Sequence, residues 1–201
     1  MSLLYRLVFT SALIPCSMCY SNGLNVDRSC TDLIPFHGVS TQRSASPYSV
    51  TFHAMSFKPG QGIAVTLKSS SAGFTGFMIQ AKRSDASQSQ EMLGTFSVVS
   101  NTRLACSGKA LVHSNDVVKS SLTFNWIAPD TPVGNIHFRV TFVQSMTVFW
   151  SNKVSRVLVQ KSLAINSTLS FASNCSMMPT KNVCLWLVTI ILFIYILYYI
   201  E

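Results

Sequence analysis

Along the middle of the chain, apolar and polar residues alternate with a period of two. Ile63, Val65 and Leu67 alternate with Ala64, Thr66 and Lys68. Leu122, Phe124 and Trp126 alternate with Thr123 and Asn125. Ile136, Phe138, Val140 and Phe142 alternate with His137, Arg139 and Thr141. Val50, Phe52 and Ala54 do the same with Thr51, His53 and Met55. Successive strand side chains point to opposite faces, so each run predicts a strand with one face in a core and one outward. Further β-rich runs cover 74–81, 94–99 and 147–159. Turn chemistry separates them at Pro59-Gly60, Ser69 to Gly73, Ser84 to Gln90 and Pro129 to Gly134. Before the C-terminal tail no segment carries a sustained 3.6-residue apolar stripe with caps. About seven or eight half-apolar strands over roughly 130 residues predict an all-β, two-sheet sandwich. Its expected core includes Phe52, Val65, Phe77, Phe124, Trp126, Phe138 and Val140.

Composition changes this picture at the two ends. The 201 residues are 48% hydrophobic and only 11% charged, whereas soluble domains carry about 25% charged residues. The excess lies at the termini. Residues 1–22 combine Arg6 with a short apolar stretch and then small residues, Ser17, Cys19 and Ser21, the layout of a cleaved signal peptide. Residues 183–200 carry no charge and, at ~1.5 Å per residue, would span about 27 Å as a helix. Trp186 and Tyr198-Tyr199 sit near the ends of that run, where amphipathic rings favour headgroups. Only Glu201 follows it, with no basic stop-transfer flank, so two readings stand: a retained transmembrane helix, or a GPI-attachment signal preceded by the small residues Ala172, Ser173, Asn174 and Ser176. Either reading places residues from about 22 to 182 on the extracellular side of a membrane, with 161–182 as a stalk.

Fourteen of the 15 basic residues and six of the 7 acidic ones fall in that exported part, so the whole +8 lies there. An exported basic domain is not expected to meet nucleic acid; anionic glycans, lipids or microbial surfaces remain as electrostatic partners. Of six cysteines, Cys16 and Cys19 belong to the leader or its cut and Cys184 to the apolar tail. Cys30, Cys106 and Cys175 remain, and the expected pair is Cys30–Cys106, leaving Cys175 as a stalk thiol. Two glycosylation sequons occur after the last strand, at Asn166 and Asn174.

Chemistry for catalysis is sparse. There is no phosphate-binding glycine loop, no Gly-x-Ser-x-Gly elbow, no zinc spacing and no closely spaced acid pair. His53 and His137 are expected on outward strand faces. His37 and His113 lie near the two paired cysteines and are read as hydrogen-bonding residues at sheet edges rather than metal ligands. No enzyme activity and no cofactor are expected. The remaining feature is a basic surface: Lys68, Lys82, Arg83, Arg139, Lys153 and Arg156 fall on outward or loop positions, and Lys68, Arg139, Lys153 and Arg156 are the candidate binding residues.

The order of motifs carries a resemblance. Cys30-Thr-Asp-Leu-Ile-Pro-Phe-His37-Gly38 opens the set, followed by Gln42, Pro47-Tyr48 and Lys58-Pro59-Gly60. Phe74-Thr-Gly-Phe-Met-Ile-Gln80-Ala81-Lys82, Gly94-Thr-Phe96, Cys106, His113-Ser114-Asn115 with Lys119, Trp126-Ile-Ala128-Pro129 and Phe138 to Gln144, ending in Phe149-Trp150, complete it. Over residues 24–160 this set resembles the reeler (reelin N-terminal) domain. Leu33 stands where that family commonly has methionine, and Lys82 where it commonly has arginine. The resemblance implies an immunoglobulin-like sandwich bridged by Cys30–Cys106. Its members include matrix and guidance proteins, insect defence proteins and ferric-chelate reductases. The apolar run 183–200 holds no histidine to ligate haem, so reductase chemistry is not expected to carry over. The implied role is an extracellular recognition or adhesion module at the cell surface, whose partner is a protein, a glycan or a microbial surface.

Overall fold

A computed structural model of the chain describes residues 25–85 and 91–161. After a single 3-10 turn at Val26–Ser29 come eleven strands. They are β1 (Tyr48–Thr51), β2 (Ser56–Phe57), β3 (Gly62–Ser69), β4 (Gly76–Arg83), β5 (Thr95–Phe96) and β6 (Thr102–Ala105). Then follow β7 (Ala110–His113), β8 (Ser121–Ile127), β9 (Ile136–Ser145), β10 (Val148–Val154) and β11 (Val159–Gln160). One sheet has the order β1-β3-β8-β5 and the facing sheet β10-β9-β4-β7-β6, while β11 and β2 form a short parallel pair. This is the two-sheet sandwich that the alternation predicts.

Period-2 patterning builds the space between the sheets. β3 buries Ile63, Val65 and Leu67, β8 buries Phe124 and Trp126, and β9 buries Ile136, Phe138, Val140 and Phe142. All seven residues expected in the core are buried there. Aromatic rings fill most of the layer, largely edge to face: Trp126 meets Phe57 at 5.2 Å and Phe138 at 5.6 Å between centroids. Such pairs add about 0.5–1.5 kcal/mol beyond the area they bury. Trp126 also donates its indole N–H to the Leu93 carbonyl at 3.0 Å, so its one polar atom is satisfied inside the core.

Several sequence expectations shift. The alternating run 50–55 is not one strand: β1 stops at Thr51, and the carbonyls of Phe52 and Ala54 accept hydrogen bonds from the Arg156 guanidinium, each at 2.8 Å. Side-chain donors there replace a ladder partner, while Phe52 still points inward. The run 147–159 is two strands, with a register shift in β10 between Trp150 and Lys153 where Asn152 takes φ 54°. The short strands β6 and β7 were not foreseen. Lys82, expected on the surface, is buried. The physical reason is that β4 is the middle strand of its sheet and is covered on both faces, so every residue from Gly76 to Lys82 is buried. The leader 1–22, all of the stalk beyond Lys161, Asn166, Asn174 and the apolar run 183–200 lie outside the described residues. Among the described residues no helix is long and apolar enough to cross a membrane.

Candidate functional site

The second cover on β4 is a strap made of residues 25–37, a stretch without strand periodicity. Met78, Ala110 and Val112 are buried on the side of the five-stranded sheet away from the inter-sheet core, and Leu33 packs on them to form a second cluster. Three side chains of the sheet fasten the strap by its carbonyls. Gln80 Nε2 donates to Cys30 O at 2.8 Å, Thr141 Oγ1 to Leu33 O at 2.6 Å, and Asn152 Nδ2 to Asp32 O at 2.7 Å. Cys30 and Cys106 are bonded, with Cα atoms 5.7 Å apart, and the Cys106 amide donates to Asp27 Oδ1 at 2.9 Å. Leu33 holds φ 60°, a left-handed conformation that costs a non-glycine residue about 1–3 kcal/mol and survives only where its surroundings fix it. Burial of its side chain and the bond from Thr141 supply that constraint.

Between the strap and the sheet lies a cavity of about 300 Å³, bounded by the strap, the start of β4, His113 and the end of β9. Strap residues Leu33, Pro35 and Phe36 face Met78 and Val143 across it. His37 and His113, far apart in sequence, both line it. His113 Nδ1 lies 3.2 Å from both the amide nitrogen and the carbonyl oxygen of Phe77. The His37 ring packs edge-on against Phe149 at 5.6 Å, and its Nδ1 is buried with no hydrogen-bond partner among the described residues. Burial holds the His37 pKa below its usual value, an effect opposed by a hydrogen bond with the Met146 backbone.

The candidate basic residues do not form one patch. Arg139 stands on the outward side of β9, opposite Gln80 of β4, and Lys82 opposite His137, so Lys82, His137 and Arg139 share one face. Arg139 donates to Asn152 Oδ1. Burial, then the Arg139 charge, lowers the Lys82 pKa; burial, then Arg139 and Lys82, lowers that of His137. Lys153, half-buried on the adjoining strand β10, pairs with the core-facing Val140, so it lies on the other side of that sheet from Arg139. Lys68 lies on the other sheet, in β3, and is exposed. Arg156 stacks over the Phe52 ring at 4.0 Å besides holding two carbonyls, so it acts first as a tie between loops. The strap and the cavity were not legible as a site, because their residues come from four separate stretches; the shared proximity of His37 and His113 to the cysteines was the one available signal.

The two depressed histidines make stability depend on pH. Folded His37 and His137 bind a proton less readily than in the unfolded chain, where the value lies near 6.5. As pH falls through that value the unfolded state takes up more protons, so the folded state loses stability. The urea midpoint is expected to be lower at pH 5.5 than at pH 7.5, and the difference to shrink in a His37→Gln/His137→Gln variant. A midpoint that is equal or higher at pH 5.5 contradicts this assignment.

The arrangement matches known proteins. The Reeler domain family model covers residues 28–165. Defense protein l(2)34Fc of Drosophila melanogaster is 32% identical over 162 residues, spanning 76% of this chain and 97% of that protein. Ferric-chelate reductase 1 of Mus musculus is 32% identical over 160 residues, spanning 76% of this chain. The chain spans only 26% of that reductase's length. The crystal structure of the human F-spondin reeler domain (fragment 1) superposes with a TM-score of 0.52 at 20% identity, covering 61% of this chain and 94% of the fragment. A strapped, disulfide-bridged sandwich, with a family match running from the strap through the last described strand, makes this chain a member of the Reeler domain family.

Proposed function

We propose that this chain is an extracellular binding module without catalytic activity, held at the cell surface by its C-terminal segment and recognising anionic ligands. The observation that carries the reading is the face on which Arg139 lies beside His137, with the buried Lys82 adding its charge from beneath. The Lys82 and Arg139 charges both hold down the proton affinity of His137, and an anion bound beside Arg139 relieves that unfavourable field. The Cys30–Cys106 bond supports an oxidising, extracellular setting. Glycosylation at Asn166 and Asn174 belongs to the same reading. Release of the chain from cells by phosphatidylinositol-specific phospholipase C decides for a GPI anchor, and retention for a membrane-spanning helix.

The test is binding to immobilised heparin across a salt series. Screening shortens from about 10 Å at 0.1 M to about 3 Å at 1 M, so affinity is expected to fall steeply. Arg139→Ala should weaken binding several-fold, while Lys68→Ala on the opposite sheet leaves it unchanged. A melting curve for each variant checks the fold, since surface changes of this sort shift stability by about 0.5 kcal/mol. Salt-independent binding, or an Arg139→Ala variant that binds like the wild type, rejects the electrostatic mechanism in favour of a shape-specific protein contact.

A second reading, defence by binding microbial surfaces, is favoured by the Drosophila defence protein, which this chain matches over 97% of its length. Binding to lipopolysaccharide and whole bacteria in preference to heparin selects it. An accessory role beside a ferric-chelate reductase is less favoured, since the match covers about a quarter of that protein.

A further inference from the structure

We infer that the cavity beneath the strap is a second binding site, which takes a single alkyl or acyl chain whose head is not an anion. The inference is independent of the basic face, which lies elsewhere on the sheet. Three features of the cavity carry it.

The first is that most of the hydroxyl and amide groups along its walls are already engaged within the protein. Ser29 Oγ donates to Ile34 O at 2.7 Å, and Thr141 Oγ1 to Leu33 O at 2.6 Å. Thr75 Oγ1 donates to Val143 O and Gln144 O, both at 3.3 Å, and Gln144 Oε1 accepts the Tyr48 hydroxyl at 3.2 Å. These groups are committed to the protein; the buried Nδ1 of His37, without a partner among the described residues, is left for one polar head, and a ligand polar along its length would lose hydration without replacement. What remains facing inward is largely carbon, from Val26, Leu33, Pro35, Met78 and Val143.

The second is the mouth. Phe36 is 60% exposed and Met146 41% exposed, and both line the cavity, with Ile34 43% exposed next to them on the strap. Large apolar side chains kept in water at the lip of an apolar cavity are explained by a ligand that covers them, and methionine adapts to the shape of what it meets.

The third is size and charge. About 300 Å³ lies at the small end of ligand pockets (~300–1,000 Å³), enough for one chain but not a whole lipid. The charged residue lining the cavity is Asp116. Its carboxylate disfavours an anionic head next to it, an effect that the Lys119 ammonium, held on Thr75 O at 3.2 Å, offsets in part, and a neutral head meets neither charge's penalty.

The experiment is a titration of the whole chain, its disulfide formed, followed by amide NMR shifts. The probes are 1-octanol, octanoate and 2-(2-ethoxyethoxy)ethanol, which are similar in length but differ in charge and chain polarity. Saturable shifts are expected with 1-octanol at Leu33, Phe36, Met78 and 141–146. Affinity should rise about three- to four-fold per methylene from 1-hexanol to 1-octanol. The diether alcohol should not saturate, and octanoate should bind more weakly than 1-octanol, with the gap narrowing in Asp116→Asn. Val143→Trp, which fills the cavity, should abolish the response while leaving shifts of the inter-sheet core unchanged. Absence of saturation, a flat dependence on chain length, octanoate binding as tightly as 1-octanol, or a full response in Val143→Trp overturns the assignment. The heparin test is unaffected by any of these outcomes, so the two sites fail or stand separately.

Discussion

Replacing Cys30 and Cys106 by serine is expected to cost the folded chain about 2–5 kcal/mol and to free the strap. The bond joins residues 76 apart in sequence, and in the chain-entropy model a loop of that length restrains the unfolded ensemble by roughly 4 kcal/mol. The native state also loses order locally. Leu33 and Cys106 share a small cluster with Met78, Ala105, Ala110 and Val112, and the Leu33 backbone keeps its left-handed conformation only while it is held. Amide exchange in residues 25–37 should therefore accelerate in the variant before the sheets open. Peptide mapping without reductant is expected to return Cys30 and Cys106 as one linked pair. Either cysteine found free, or joined to Cys175, contradicts the assignment. So does a Cys30→Ser/Cys106→Ser protein with wild-type melting temperature and strap protection.

Trp126→Ala should be comparably damaging, by about 3–5 kcal/mol. Trp126 is fully buried near the end of β8, between Phe57 and Phe138. Its removal leaves a cavity that two sheets tied by many ladders cannot close, and it deprives the buried Leu93 carbonyl of its donor. The neighbouring chain is fitted to the ring. Gly94 has φ 67°, and a Cβ there would lie 2.3 Å from Ile127 O and 2.6 Å from Trp126 Nε1. Only glycine permits that approach. Chemical denaturation measures the loss; a variant with an unchanged midpoint would place Trp126 outside the core.

What the sequence made legible follows from how many faces of a strand are buried. β3, β8 and β9 alternate cleanly, and their inward residues were readable because each strand has one regular apolar side. β4 was readable as a strand but not in its surroundings: Gln80 and Lys82 look outward-facing by type, yet both are buried, Gln80 beneath the strap. β6 and β7 are four residues each, too short for a period to declare itself. The strap has no period at all; its place is set by one disulfide and by three side-chain bonds across more than a hundred residues or some fifty. A cavity enclosed that way exists only in three dimensions. The basic residues, by contrast, were identifiable one by one, but only the β4–β9 register shows that Arg139 and Lys82 are neighbours and that Lys68 is not.

The covalent tie between strap and β6–β7 turn has a mechanical side. A domain held at a surface and bound to something outside it is pulled between its ends. Tension entering near Cys30 can cross the sulfur bridge directly to Cys106, so the backbone between them is not in series with the load and cannot be drawn out by it. The 76-residue separation would otherwise pay out on the order of 250 Å of extended chain at ~3.3–3.6 Å per residue. With the bridge intact the domain can give way under load and still reach only a fraction of its full length, a tether with a built-in stop.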